Sequence, residues 1–239
     1  MDTIRRNRSQ AFLSTKQFDD ALLDLSYPST KPDESHNEKA LYRIVQALYA
    51  LRRFSECSEV LECLCKRNPT NKVGRDLQIE VLARLREENK ADYNFTAMQA
   101  NAKKLKPPML DHATFQGQVE VRNSQIGGRG LFTTTAVKVG DLLLCEKAFA
   151  FSFRDPDNPS RPGCSRTAVL ISATSNYTKI GTEADLINII VQKLSKNSSL
   201  AQRFTSLYHG VYSPVPSMRV DGQNVVDSWV SLRFGLFFC

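Results

Sequence analysis

The sequence predicts an α+β chain: antiparallel helical hairpins first, then part of a β-rich domain that carries a helical insertion. Three observations predict it. Apolar residues recur at intervals of three and four from about Asn7 to Lys104. Pro107 and Pro108 then break that period, and Val119 and Val121 alternate with polar neighbours as in a half-buried strand. Finally, Gly127, Gly128 and Gly130 cluster around Arg129, ahead of a β-branched and apolar run from Thr133 to Phe153.

In the first half, Leu41, Ile44, Val45 and Leu48 share one helical face, and Phe54, Cys57, Leu61 and Leu64 share another. Arg52-Arg53 reads as the turn between them, and Asn68-Pro69 stops the second helix. A third run follows with Val73, Leu77, Val81 and Leu85 four apart. The charged stretch from Arg86 to Lys90 then leads to a shorter helix around Phe95 to Ala102.

The hairpins repeat. Phe18-Asp19-Asp20-Ala21 aligns with Phe54-Ser55-Glu56-Cys57, 36 positions later. An aromatic followed three places on by a small residue, and a closing proline at Pro69, resemble a tetratricopeptide repeat, whose period is ~34. By that resemblance Ala40 to Pro69 is one unit and Asn7 to Tyr27 a degenerate one; a generic helical bundle is the alternative. The resemblance implies a scaffold that binds a protein or peptide partner.

Lys106-Pro107-Pro108-Met109 is the predicted boundary, because proline removes a donor and disfavours helix in the residue before it. The expected organisation is a helical region over 1–104, a linker over 105–115, and a β-rich portion over 116–239 with a helical insertion at about 155–224. Within the insertion, Thr182 reads as an N-cap with Glu183 and Asp185 in the first turn. Leu186, Ile189, Ile190 and Leu194 form a core-facing stripe. A second helix spans roughly Ser199 to Tyr208, with His209-Gly210 as its C-cap.

Four readings compete for the glycine loop. A P-loop fails, since no Gly-Lys-Ser/Thr follows. A dinucleotide fingerprint fails, since no helix opens after it. A KH loop shares the G-x-x-G pattern, but Thr133-Thr134-Thr135 disfavours the helix that module needs. A plain hairpin turn remains. The longer context runs from Ser124 through Ile126-Gly127-Gly128-Arg129-Gly130-Leu131-Phe132, then Ala136-Val137-Lys138-Val139-Gly140-Asp141, then Leu142-Leu143-Leu144-Cys145-Glu146. It is similar to the opening of a SET domain. Gly140-Asp141 reads as a turn, and Leu142 to Phe153 as one long, largely buried strand.

That resemblance implies S-adenosylmethionine as cofactor, with Gly128, Arg129 and Gly130 as cofactor-binding residues, and methyl transfer to a lysine of a protein substrate. The order of helical repeats and a split SET domain without a MYND module resembles a group of fungal proteins. Two further family motifs do not occur: there is no Asn-His pair, and the Glu-Glu pair, Glu87-Glu88, lies in the helical half. No catalytic residue is therefore assigned, and the chain is expected to be catalytically incomplete. The apolar ending from Val225 to Cys239 reads as a truncation just before the catalytic half, or else as a strand tucked into the core.

Composition bounds the remaining classes. The net charge of +7 is compatible with nucleic-acid binding, but the basic residues are dispersed and the densest cluster, Lys103-Lys104-Leu105-Lys106, is short, so nucleic acid is not expected. No stretch approaches the ~18 apolar residues of a membrane span, and no secretory signal is visible at the start. An intracellular location, cytoplasm or nucleus, is expected, with the cysteines reduced. None of the six cysteines forms a C-x-x-C pair, and only His36, His112 and His209 could add imidazole, so no metal site is expected.

Overall fold

A computed structural model describes residues 3–27, 36–158, 169–171 and 178–205. In chain order the elements are α1 Thr3–Ser14, α2 Phe18–Asp24, α3 Glu38–Ala50, α4 Phe54–Arg67, α5 Lys72–Lys90 and α6 Phe95–Lys104. They continue as β1 Phe115–Gln116, β2 Val119–Asn123, β3 Arg129–Thr133, β4 Leu144–Cys145, β5 Val169–Ile171 and β6 Thr178–Ile180. The last are α7 Thr182–Lys196, a 3-10 turn Ser198–Leu200 and α8 Ala201–Thr205. The mixture of helices and small antiparallel sheets is α+β. The chain divides into two compact units, Asn37–Ala148 and Met1–His36 with Phe149–Cys239.

In the first unit, Asn37 caps α3 by accepting from the Ala40 amide at 2.9 Å. Leu41, Ile44, Val45 and Leu48 of α3 meet Phe54, Cys57, Val60, Leu61 and Leu64 of α4, all fully or almost fully buried. These are the two faces that the helical period predicts. Burial pushes the Cys57 thiol up to about 12, so it acts here as a small core hydrophobe. Helix α5 packs on α4 through Val81 and Gly74, where an added Cβ would make ordinary contact with Leu64 and Cys65.

Two expectations for α5 are corrected. Val73 is 54% exposed, and Gly74 takes the inward position. Arg86 to Lys90 does not leave the helix but forms its last turn, closed by Ala91 in the left-handed region. Arg, Glu and Lys are good helix formers, and Glu87 points inward, where it finds partners.

The sheet elements of this unit are two short antiparallel pairs, β1 with β4 and β2 with β3. Leu142 to Phe153 is not one long buried strand. Only Leu144 and Cys145 pair, with Gln116 and Phe115. Leu144 and Phe151 are each 39% exposed, and the Lys147 side chain turns in to donate to the Leu110 carbonyl. Apolar content marks the segment as half-buried; the length of its partner strand decides how much of it pairs. Val121 is likewise 61% exposed although Val119 is buried, because β2 runs outward into a hairpin.

In the second unit, Ile187, Ile190 and Leu194 of α7 form a core with Phe204, and Phe149, Leu186 and Leu200 pack around it. Gly181, at φ 69°, precedes the helix, so Thr182 is its first residue and not its cap. Ile187 takes the central position that the stripe gives to Ile189. His209-Gly210 and Val225 to Cys239 lie outside the described residues.

Asn197 ties this unit together. It is 2% exposed, and its Oδ1 accepts from the Phe18 amide at 2.7 Å and the Asp19 amide at 3.4 Å, capping α2. Its Nδ2 donates to the Lys16 carbonyl at 3.0 Å and the Lys193 carbonyl at 3.2 Å. Asp19 answers by accepting from the Ser199 amide and hydroxyl, both at 2.8 Å.

The same backbone turn occurs at two positions related by the 36-residue spacing. Lys16 and Arg52 both have φ 63°. Around Lys16, the Gln17 amide donates to the Phe12 carbonyl at 2.8 Å and the Lys16 amide to the Leu13 carbonyl at 3.1 Å. Around Arg52, the Arg53 amide donates to Leu48 at 2.9 Å and the Arg52 amide to Tyr49 at 3.0 Å. Both are Schellman closures, bond for bond 36 positions apart, and each leads into a helix opened by phenylalanine. Ala21 and Cys57, the small residues of the two motifs, are each 0% exposed.

Candidate functional site

The glycine segment is the tip of the β2–β3 hairpin. Val119 pairs with Thr133 and Asn123 with Arg129, leaving Ser124 to Gly128 as the loop. The Ser124 amide donates to the Gly128 carbonyl at 2.8 Å and the Gly127 amide to the Ser124 carbonyl at 3.3 Å. Ser124 Oγ accepts from the Ile126 amide at 3.2 Å. Gly127 and Gly128 have φ of 127° and 66°, values that side-chain-bearing residues rarely adopt. Nothing lies within 4 Å of where their Cβ atoms would be, so bare main chain faces open space.

Gly130 stands in a different setting. It pairs with Arg122 inside the sheet ladder, and an added Cβ would come within 2.9 Å of the Phe132 ring. The Arg122 guanidinium lies over the other part of this stack, 4.4 Å from the Phe132 ring centroid. Arg129 is exposed at the first position of β3. The three sequence-predicted residues are therefore consecutive on one hairpin but differ in setting: a turn residue, an exposed strand residue, and a strand residue covered by an aromatic ring.

Sequence reasoning missed a dense group of ionisable side chains among the described residues, at the inner end of α5. Glu87, 5% exposed, accepts from Arg84 at 2.9 Å and from the Ala113 amide at 2.7 Å, and its Oε1 lies 2.6 Å from His112 Nδ1. Asp111 accepts from the Tyr49 hydroxyl and faces Arg52, Lys147 and Arg84 at 3.6, 3.7 and 3.9 Å. Arg52 also donates to the His112 carbonyl, and the Tyr93 hydroxyl to the Ala113 carbonyl at 2.8 Å. The group fastens segment 110–114 to the helices. Only the burial of Glu87 could have signalled it, and a charge in a polar run ordinarily reads as solvated surface.

The electrostatics follow from this crowding. Burial raises the Tyr49 hydroxyl above its ordinary value, and the bond to Asp111 adds to the effect. For Asp111 burial acts upward, but the Tyr49 hydrogen bond and then Lys147, Arg84 and Arg52 outweigh it, so the carboxyl lies below its ordinary value. A depressed folded-state value means that the stability Asp111 contributes is complete above the unfolded value of about 3.9 and is lost as pH falls through the folded one. Tyr49→Phe removes a lowering contact. Its acid-unfolding midpoint, followed by circular dichroism, is expected at higher pH than that of the unaltered chain; an unmoved midpoint would contradict this assignment.

Among the described residues no group of His, Cys, Asp or Glu side chains is placed to hold a metal ion, and no helix is long and apolar enough to cross a membrane.

Comparison with known proteins gives one informative result. The chain is similar to a protein of Gibberella zeae named "Methyltransferase", with 36% identity over 224 residues. The matched stretch is 94% of this chain and 30% of that protein, so the chain spans under a third of the length of the curated relative it matches. No family model matches the chain, and no solved structure matches it.

Proposed function

We propose that these 239 residues carry the donor-side portion of an S-adenosylmethionine-dependent protein-lysine methyltransferase of the SET type, preceded by tetratricopeptide-like hairpins. The observation that carries the reading is the β2–β3 hairpin, with its exposed main chain at Gly127 and Gly128. Its support from outside the chain is the similarity to a protein named as a methyltransferase. A polar ligand laid along a backbone needs positions without Cβ, and these two provide them. Gly130 fits less simply, since the Phe132 ring covers it and its main chain is paired with Arg122 in the β2–β3 ladder.

The cofactor, when bound, supplies a methyl group on a sulfonium sulfur. The chain's part is to hold that donor at Gly127–Arg129. In-line alignment with a desolvated lysine amine needs a channel that excludes water. The SET motifs that complete such a channel, Asn-His and Gly-Glu-Glu, do not occur in these 239 residues.

Incubation of the chain with tritiated S-adenosylmethionine and a histone mixture is therefore expected to give no lysine methylation above background. The same sequence installed in place of the matched stretch of the Gibberella zeae relative is expected to support transfer. Robust methylation by the 239 residues alone, or none by a folded chimera whose parent is active, would overturn the proposal.

A second reading is supported by the duplicated Schellman turns at Lys16 and Arg52: the hairpins act as a protein-binding scaffold whether or not methyl transfer takes place.

A further inference from the structure

We propose that the outer face of α5 docks an acidic amphipathic helix of a partner protein. This depends neither on the methyl-donor reading nor on the tetratricopeptide-like hairpins, because α5 lies outside both. Helix α5 buries Gly74 and Val81 on its inner side. On the side turned away from them, Lys72, Arg75, Ile79, Leu82, Arg86 and Lys90 follow one another at spacings of three and four. That spacing sets them in a single row, the seam along which one helix meets another. All six are exposed, Ile79 at 67% and Leu82 at 41%.

Charge decides the occupant. The row has its apolar pair in the middle and two cations at each end. Among the described residues none of the four cations has a carboxylate within ion-pair distance, although Asp76 and Glu80 stand beside the row. Lys72 is also the first residue of α5, where the macrodipole disfavours a cation, and the first turn holds no acidic residue. A second copy meeting this face would set Arg75 against Arg86 when antiparallel, and each cation against its own equivalent when parallel. A membrane surface needs a broad apolar face, and here that face is a single turn. A helix with carboxylates at both ends and apolar residues between them meets all six groups. It does so in either direction, since the row reads the same both ways. From Lys72 to Lys90 the row is roughly 27 Å long, about five turns of helix.

The probe is a fluorescein-labelled, alanine-based helical peptide with Glu, Glu, Leu, Leu, Glu and Glu at the same spacing, titrated with the full chain and followed by anisotropy. Saturable binding is expected, with a Kd on the order of 0.1 mM, as befits a small interface. It should weaken several-fold as sodium chloride rises from about 50 to about 500 mM. A peptide with Lys in place of each Glu is expected to bind at least about tenfold more weakly.

Ile79→Ala with Leu82→Ala is expected to weaken binding of the acidic peptide about tenfold. Arg75→Glu with Arg86→Glu is expected to reverse the preference, so that the lysine peptide binds more tightly than the acidic one. All four side chains are exposed, so the unfolding midpoints should stay near that of the unaltered chain. Should a double variant lose its fold, the two peptides compared on the unaltered chain decide. No saturable binding of the acidic peptide, equal affinity for both peptides, or binding unmoved in both folded variants would overturn the proposal. Self-association of the chain that Ile79→Ala with Leu82→Ala abolishes would overturn it in favour of a second copy. Binding to phosphatidylserine vesicles without binding to the acidic peptide would overturn it in favour of a membrane surface.

Discussion

Replacing Glu87 by alanine is expected to lower the stability of the chain by about 3–5 kcal/mol, the range seen when one partner of a buried charged pair is removed. The size follows from what is left behind. Glu87 is 5% exposed and receives Arg84, His112 and the Ala113 amide. Without it, a largely buried guanidinium and a backbone N–H lose their acceptor together, and water has little access to replace it. Glu87→Gln keeps the shape but turns an amide nitrogen toward some of these donors, so it should fall between the two. Differential scanning calorimetry would read the loss, on the order of 10 °C in midpoint for the alanine variant. A shift below 2 °C would mean that water already satisfies these groups. Pairing Glu87→Ala with Arg84→Met should recover part of the loss, since an apolar pair leaves no unpaired charge.

Asn197→Ala is expected to cost about 2–3 kcal/mol, from several hydrogen bonds near 1 kcal/mol each and the desolvated groups they leave unpaired. Its side chain stands in for the missing N-cap of α2, whose own N-cap residue, Gln17, makes no side-chain cap bond. It also takes up the carbonyl of Lys16, at the left-handed turn. Asp19 returns the contact by capping Ser199. Because the two caps are reciprocal, Asn197→Ala and Asp19→Ala should combine non-additively in a double-mutant cycle, the second change costing less after the first. Strict additivity would show the two contacts to be independent. The same burial makes the Asn197-Ser198-Ser199 sequon inaccessible as folded.

What could be read from the sequence depended on how local its cause was. The α3–α4 faces are legible because each buried residue lies three or four positions from the next, and the repeat because Phe18 and Phe54 open equivalent helices. The hairpin is legible as a turn because Gly127 and Gly128 need positive φ. Glu87 is illegible because it sits in a charged run and only its partners at His112 and Ala113 turn it inward. Asn197 is illegible because its main contacts lie nearly the whole chain away, at Lys16 to Asp19. Leu142 to Phe153 misleads because strand length is set by the partner, and β1 offers two residues. Gly130 lies between these cases: the glycine is evident, but the Phe132 ring that lies against it in this fold is not.

The donor-side role of the hairpin can be tested directly by titrating the isotope-labelled 239-residue chain with S-adenosylmethionine and recording amide chemical shifts. The predicted result is weak binding, with a Kd on the order of 1 mM, near −4 kcal/mol. Shifts should concentrate on Ser124 to Phe132 and disappear in Gly128→Val. Shifts centred elsewhere in the chain, or no change at Gly127 and Gly128 at cofactor concentrations well above that Kd, would contradict it.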